Sequence, residues 1–216
     1  MHILHVIADP MPLEEAVNRR VAQAFFRTLN EAAPDVEVDT YDLYSAPPPY
    51  FDYPIFRFLW YPMIKPGYEP TSSETAAGRV LADMSSRFNV ADALVLTAPV
   101  WNYSVPAILK AWIDVTVAPN YSFQFVDGRR VPLHRIRKLF FFLSSGGSMG
   151  HGKVRDSLMH QLLTTFAYIG ITDVATVFAD CQDASLYPDY LQRERDAAAQ
   201  AVSLARALAA AAHAGA

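Results

Sequence analysis

Short apolar runs recur along the chain and alternate with segments of helical period. His2 to Ala8 (HILHVIA) is an unbroken apolar run of strand length. Leu13 to Leu29 follows with Val17, Val21, Ala24, Phe25 and Leu29 on one stripe, which predicts a helix. Val36 to Leu43 (VEVDTYDL) alternates as a second strand, so the opening predicts a right-handed parallel crossover. Thr71 to Phe88 is a second long helix, with Ser72 or Ser73 placed to cap it and Glu74 nearby. Ala93 to Ala98 (ALVLTA), bounded by Pro99, has the pattern of a strand buried on both faces. Pro106 suits a first helical turn, and Ile108, Leu109, Trp112, Ile113 and Val115 continue from it at helical spacing. Tyr121 to Val131 predicts a small hairpin around Asp127-Gly128. Lys138 to Leu143 (KLFFFL) is a fourth strand, Lys153 to Tyr168 a helix, Ile169 to Phe178 the approach to and body of a fifth strand, and Leu191 to His213 an Ala-rich helix. This order predicts one α/β domain over residues 1–216, a flavodoxin-like, doubly wound five-stranded parallel sheet in the order 2-1-3-4-5 with helices on both faces.

Residues 45–73 interrupt the pattern. Three successive prolines open the segment, and Pro54, Pro62, Pro66 and Pro70 are expected to prevent a long helix. It nevertheless carries Tyr50, Phe51, Tyr53, Phe56, Phe58, Trp60, Tyr61 and Tyr68, too many large apolar groups for a polar linker. The segment either covers an apolar pocket, with Phe58 and Trp60 lining it, or packs on a partner subunit.

Composition narrows the class. At 216 residues with 52% hydrophobic and 19% charged positions, the chain has the balance of a globular protein. A net charge of −4 without a long basic run gives no footprint for nucleic acid, and no apolar run reaches membrane length. The lone Cys181 excludes an internal disulfide, and a cytoplasmic location is expected. His2 and His5 lie within a strand pattern and read as core or edge residues; no metal site is expected.

Ligands of open α/β sheets bind at the carboxyl ends of the strands, which selects three loops. The loop after the third strand, Pro99-Val100-Trp101-Asn102-Tyr103-Ser104, offers two aromatic side chains for stacking and an amide with both a donor and an acceptor. The loop after the fourth strand is Gly-rich, with Ser144, Ser145, Gly146 and Gly147 followed by His151, a candidate proton donor near neutral pH. The loop after the first strand, Asp9 to Asn18 (DPMPLEEAVN), has two prolines, three acids and Asn18 as its remaining polar contact.

The segment APVWNYSVPAILKAWID, together with SSGG and YIGITDVATVFAD, resembles the FMN-dependent NADH-azoreductases, flavodoxin-like NAD(P)H:quinone oxidoreductases. The resemblance implies a homodimeric enzyme with bound FMN and NADH or NADPH as co-substrate, reducing a quinone, azo compound or similar conjugated molecule. It assigns Asn18, Pro99, Val100, Trp101, Asn102, Tyr103 and Ser144, Ser145, Gly146 and Gly147 to the cofactor, and Phe125, Phe166 and Tyr168 to the substrate face. The first loop departs from that family's pattern, in which serines hold the FMN phosphate. A second class therefore stays open: a flavin-free relative acting as an isomerase, dehydratase or cyclase, with Asp9, Glu14 or His151 as acid–base groups. A non-catalytic small-molecule binding protein is the third.

Overall fold

The computed structural model describes residues 1–149 and 153–214, and structural statements below refer to these. Five parallel strands form the sheet: β1 (His2–Ile7), β2 (Glu37–Asp42), β3 (Ala93–Pro99), β6 (Lys138–Ser144) and β7 (Val174–Ala179), in the order β2-β1-β3-β6-β7. This is the expected 2-1-3-4-5 order once the short antiparallel hairpin β4 (Phe123–Val126) and β5 (Arg129–Pro132) is numbered in sequence. Asp127 and Gly128 both take positive φ at its turn, 50° and 73°. A two-residue type I′ connection requires that conformation at both positions.

Alternation along the central strands feeds two separate cores. Leu4, Val6, Leu94, Leu96, Leu139, Phe141 and Leu143 face one side, packed with residues of α2 (Tyr53–Ile64), α3 (Ser72–Asn89), α4 (Ala107–Thr116) and α5 (Lys153–Tyr168). Ile3, Ala93, Val95, Phe140 and Phe142 face the other, against α1 (Val17–Ala32) and the alanine stripe Ala197, Ala201, Ala205 and Ala209 of α6 (Tyr190–Ala214). Small side chains on α6 let it lie close to α1. Phe25 fills the space between α1 and the sheet, at ring distances of 5.0 and 5.2 Å from Phe140 and Phe142. No described helix is long and apolar enough to cross a membrane.

Two local features differ from the sequence pattern. The prolines at 45–73, expected to prevent a long helix, still leave room for one of 12 residues, α2, which the sequence pattern does not predict. Pro54 falls in its first turn, where the missing N–H has no partner to lose. Asp52 caps the same turn by accepting the Ile55 N–H at 2.9 Å. Pro62 lies close enough to the end that little ladder is forfeited. The α3 cap is Thr71, one residue before the serines. Its Oγ1 accepts the Glu74 N–H while Glu74 Oε2 accepts the Thr71 N–H at 2.9 Å, a capping box. Glu74 also accepts from Tyr68 Oη at 2.5 Å and pairs with Arg57 at 2.8 Å, tying α2 to α3. These donors, Tyr68 first, hold its carboxyl below the usual range.

His5 sits in the second core, its Nε2 2.9 Å from Thr97 Oγ1 and its ring 4.5 Å from that of Phe26. Burial, then the nearby Arg19 charge, lower its pKa from 6.5 to about 3. A depressed imidazole pKa means that the unfolded chain binds a proton the folded chain refuses. His5 therefore leaves stability unaffected above pH 6.5 and lowers it as pH drops from 6.5 toward about 3. The slope reaches about 1.4 kcal/mol per pH unit where the difference is one whole proton. Urea melts across this window are expected to show that slope, and His5→Gln to flatten it; an unchanged slope in the variant would remove His5 as its source.

Candidate functional site

Parallel register brings the carboxyl ends of β1, β3 and β6 to one rim. Ile7 pairs with Thr97, Pro99 pairs with Ser144, and the Val100 N–H donates to the Ser144 carbonyl at 2.7 Å. Beyond Val100 the chain makes a two-residue reversal closed by Trp101 N–H to Ser104 O at 2.9 Å and Ser104 N–H to Trp101 O at 3.0 Å. Both central residues have positive φ, Asn102 at 49° and Tyr103 at 64°. Asn accepts that conformation readily; a β-carbon bearing a phenol ring does so at a cost of about 1–2 kcal/mol. The return for this strain is display: Trp101 is 42% and Tyr103 72% exposed at the rim. Pro99 is buried below them in the strand and serves as the floor of the loop.

Replacing Tyr103 by glycine separates strain from function. Stability is expected to rise by about 0.5–1 kcal/mol as the left-handed conformation becomes unstrained. Binding of a planar aromatic ligand is expected to weaken about fivefold through the lost ring. Thermal melts and fluorescence titration check the pair; a loss of both together would show that the turn is merely structural.

The second rim loop is held from behind. Residues 145–147 bond to the segment after β7: Ser145 N–H to Ala179 O at 3.2 Å, Gln182 N–H to Ser145 O at 3.0 Å, Asp183 N–H to Gly146 O and Cys181 N–H to Gly147 O both at 3.1 Å. A β-carbon added at Gly147 would meet nothing within 4 Å, and one at Gly146 only Asp183 Cβ at 3.9 Å. The protein's own packing does not require these glycines, so the space before them is available to a guest.

Asp9, Asn18 and Ser144 form a buried bracket between β1, α1 and β6. Asn18 Nδ2 donates to Asp9 Oδ2 at 2.7 Å and to Ser144 Oγ at 2.9 Å, and the Met11 N–H donates to Asp9 Oδ1 at 2.9 Å. Asp9 and Asn18 are both fully buried. Both Asp9 oxygens are occupied and turned inward, an arrangement that positions Asn18.

Beside the turn lies a cleft of about 680 Å³. Trp101, Asn102 and the start of α4 form one wall, and Tyr44, Pro47, Pro48 and Tyr50 the other. The sequence patterns name the prolines and Tyr50 only as part of the 45–73 segment and do not single out Tyr44; their position directly after β2, on the same rim, is the signal that points to them. Burial pushes the Tyr44 phenol up, as does the Asp9 carboxylate.

Five aromatics expected at the site lie away from the rim. Phe166 is fully buried in the core, 6.0 Å from the Phe141 ring. Phe58 packs its ring into the notch at Gly78 of α3. Trp60 borders a separate cleft with Phe51, Val117 and Pro119, beyond the end of α4. At the rise of an α-helix, that end is about 15 Å along α4 from the turn. Tyr168 ends α5, and the length of that helix puts it about 24 Å from the rim. It is pinned by Arg130, which stacks on its ring at 3.7 Å and donates to its carbonyl. Phe125 belongs to the same far group through Phe123, but its side chain is half exposed. His151 lies outside the described residues.

A family model described as a flavodoxin-like fold matches residues 1–204. The FMN-dependent NADH:quinone oxidoreductase 3 of Halalkalibacterium halodurans is 30% identical over 209 residues, covering 94% of this chain and 98% of its own. The chain belongs to the flavodoxin-like FMN-dependent NADH:quinone oxidoreductase family. Solved structures agree on the fold: the azoreductase AzrA superposes with a TM-score of 0.84 at 23% identity, over 95% of this chain and 99% of its own. An FMN-dependent NADH-azoreductase from Bacillus anthracis, solved in complex with FMN, gives 0.81 at 20% identity, over 97% and 100%.

For this quinone oxidoreductase family member, the rim can be tested against the two ends of FMN. The ring end fits: exposed aromatics, an amide and an open glycine edge converge there. The phosphate end does not. Pro10 and Pro12 lack N–H groups, Ala16 at the start of α1 offers no capping side chain, and Glu14 and Glu15 are exposed.

Proposed function

We propose that the protein is an FMN-dependent NAD(P)H oxidoreductase that reduces a quinone, azo compound or similar conjugated electrophile. The observation that carries this reading is the strained Trp101–Ser104 turn facing an open glycine edge, in a chain of this family. Bound flavin supplies the hydride-accepting and hydride-donating chemistry. The chain's own part is to bind and orient. Trp101 and Tyr103 stack on planar rings, Asn102 offers a donor and an acceptor to a ring edge, and Val100 with Ser144 to Gly147 lets backbone approach the other edge. His151, next along the Gly-rich sequence, is the proton donor in this proposal.

The protein acts as a homodimer in this reading, because Phe125 and Tyr168 stand at the opposite end of the sheet from the rim. They reach a ring only at the site of a second copy, where the exposed Phe125 side chain supplies an apolar wall. A cytoplasmic setting suits the buried, unpaired Cys181. The flavin-free alternative is weakened by the inward-turned Asp9, which leaves Glu14 as its acid in the first loop.

Purified protein incubated with FMN and desalted is expected to be yellow, to bleach with NADH or NADPH under anaerobic conditions, and to recover its colour on adding a quinone. A colourless sample that neither binds FMN nor oxidises the nicotinamide would overturn the assignment.

A further inference from the structure

In a sheet of this order, a phosphate-bearing ligand places its charge at the switch point between β1 and β3, on the free N–H groups that begin α1. Here most side-chain and loop groups that could receive a dianion are otherwise engaged, which leaves the first-turn N–H groups of Val17, Asn18 and Arg19. The Met11 N–H is used by Asp9, and the Glu15 and Ala16 N–H groups by the Pro12 carbonyl. Both protons of Asn18 Nδ2 go to Asp9 and Ser144, and its buried Oδ1, an acceptor without a partner among the described residues, adds no donor. Arg19 donates to the carbonyls of Asp9 and Met11 and lies 3.6 Å from Asp42. Arg20 grips Glu194 with two bonds of 2.6 and 2.7 Å and caps the Glu14 carbonyl with a third. Three acidic residues, Asp9, Glu14 and Glu15, therefore precede a helix start whose two nearby guanidiniums already serve other carboxylates. A partial positive helix end does not offset that charge.

We propose that this chain holds its flavin by the ring and takes no affinity from the phosphate, so that riboflavin, the neutral flavin, binds as well as FMN. The inference rests on the flavin reading above and changes which form of the cofactor the site selects. Glu14 and Glu15 are its determinants: being exposed, they can be changed without disturbing the core.

Quenching of flavin fluorescence, titrated with the full chain, tests this with riboflavin and FMN as probes. The two dissociation constants are expected to agree within about threefold. Raising sodium chloride from low to about 0.5 M is expected to tighten FMN, by screening the acids, and to leave riboflavin unchanged. The double variant Glu14→Gln, Glu15→Gln is expected to tighten FMN about tenfold and riboflavin not at all. FMN binding more than about tenfold tighter than riboflavin, and weakening with salt, would overturn the proposal while leaving the oxidoreductase assignment intact. Failure of both flavins to quench would instead overturn the flavin assignment itself, and this inference with it.

Discussion

Asn18→Ala is expected to destabilise the protein by about 3 kcal/mol, because it strips a donor from a buried carboxylate. Asn18 joins residues far apart in the chain: its amide spans Asp9 at 2.7 Å and Ser144 at 2.9 Å, in a fully buried setting. Once that amide is gone, Asp9 keeps only the Met11 N–H, in an interior where the lost bond has no ready replacement. Removing the charge as well should relieve much of the penalty, so Asp9→Ser combined with Asn18→Ala is expected to recover more than half of the loss. Urea denaturation of the parent, both single variants and the double variant reads the coupling directly. A single variant within about 0.5 kcal/mol of the parent would show that the bracket contributes little.

Gly78→Ala is the second large effect, and two opposing terms decide its sign. Alanine is the better helix former by about 1 kcal/mol. Its β-carbon would, however, stand 2.2 Å from Phe58 Cζ and 2.4 Å from Cε1. The ring must leave its notch, while its helix α2 is constrained by the Asp52 cap and the Arg57–Glu74 pair, and α3 is held by the bond from Tyr121 Oη to the Gly78 carbonyl at 3.1 Å. Overpacking of this kind costs about 1–3 kcal/mol, so the clash is expected to win, with a net loss of up to about 2 kcal/mol. Adding Phe58→Ala removes the clash, and the double-variant cycle should show a coupling above about 1 kcal/mol. Strict additivity would mean that the ring moves aside freely.

The differences between sequence expectation and structure share a cause. Phe58 and Phe166 are aromatic residues in the right neighbourhood by number, yet one fills a glycine notch on a neighbouring helix and the other lies in the core. An aromatic side chain has the same composition signal whether it meets a ligand or another side chain; only the packing distinguishes them. Thr71, Ser72 and Ser73 are all good caps by residue type, and the choice among them turns on where Glu74 can reach back. The α2 helix is hidden in the sequence because Pro62 reads as a breaker until its place near the helix end is known.

Apart from α2, the element order, the parallel sheet and the three rim loops are legible in the residues, because period, turn chemistry and chain direction are local properties. The acids and prolines of the first loop were equally plain, being chemistry that no packing can hide. Three things became visible only on folding. Asp9 turns inward to Asn18, Asn102 and Tyr103 are both forced into positive φ, and Phe125 stands a sheet's length from the turn in its own chain. Each depends on strand register and closure between residues far apart in sequence, where no local preference acts.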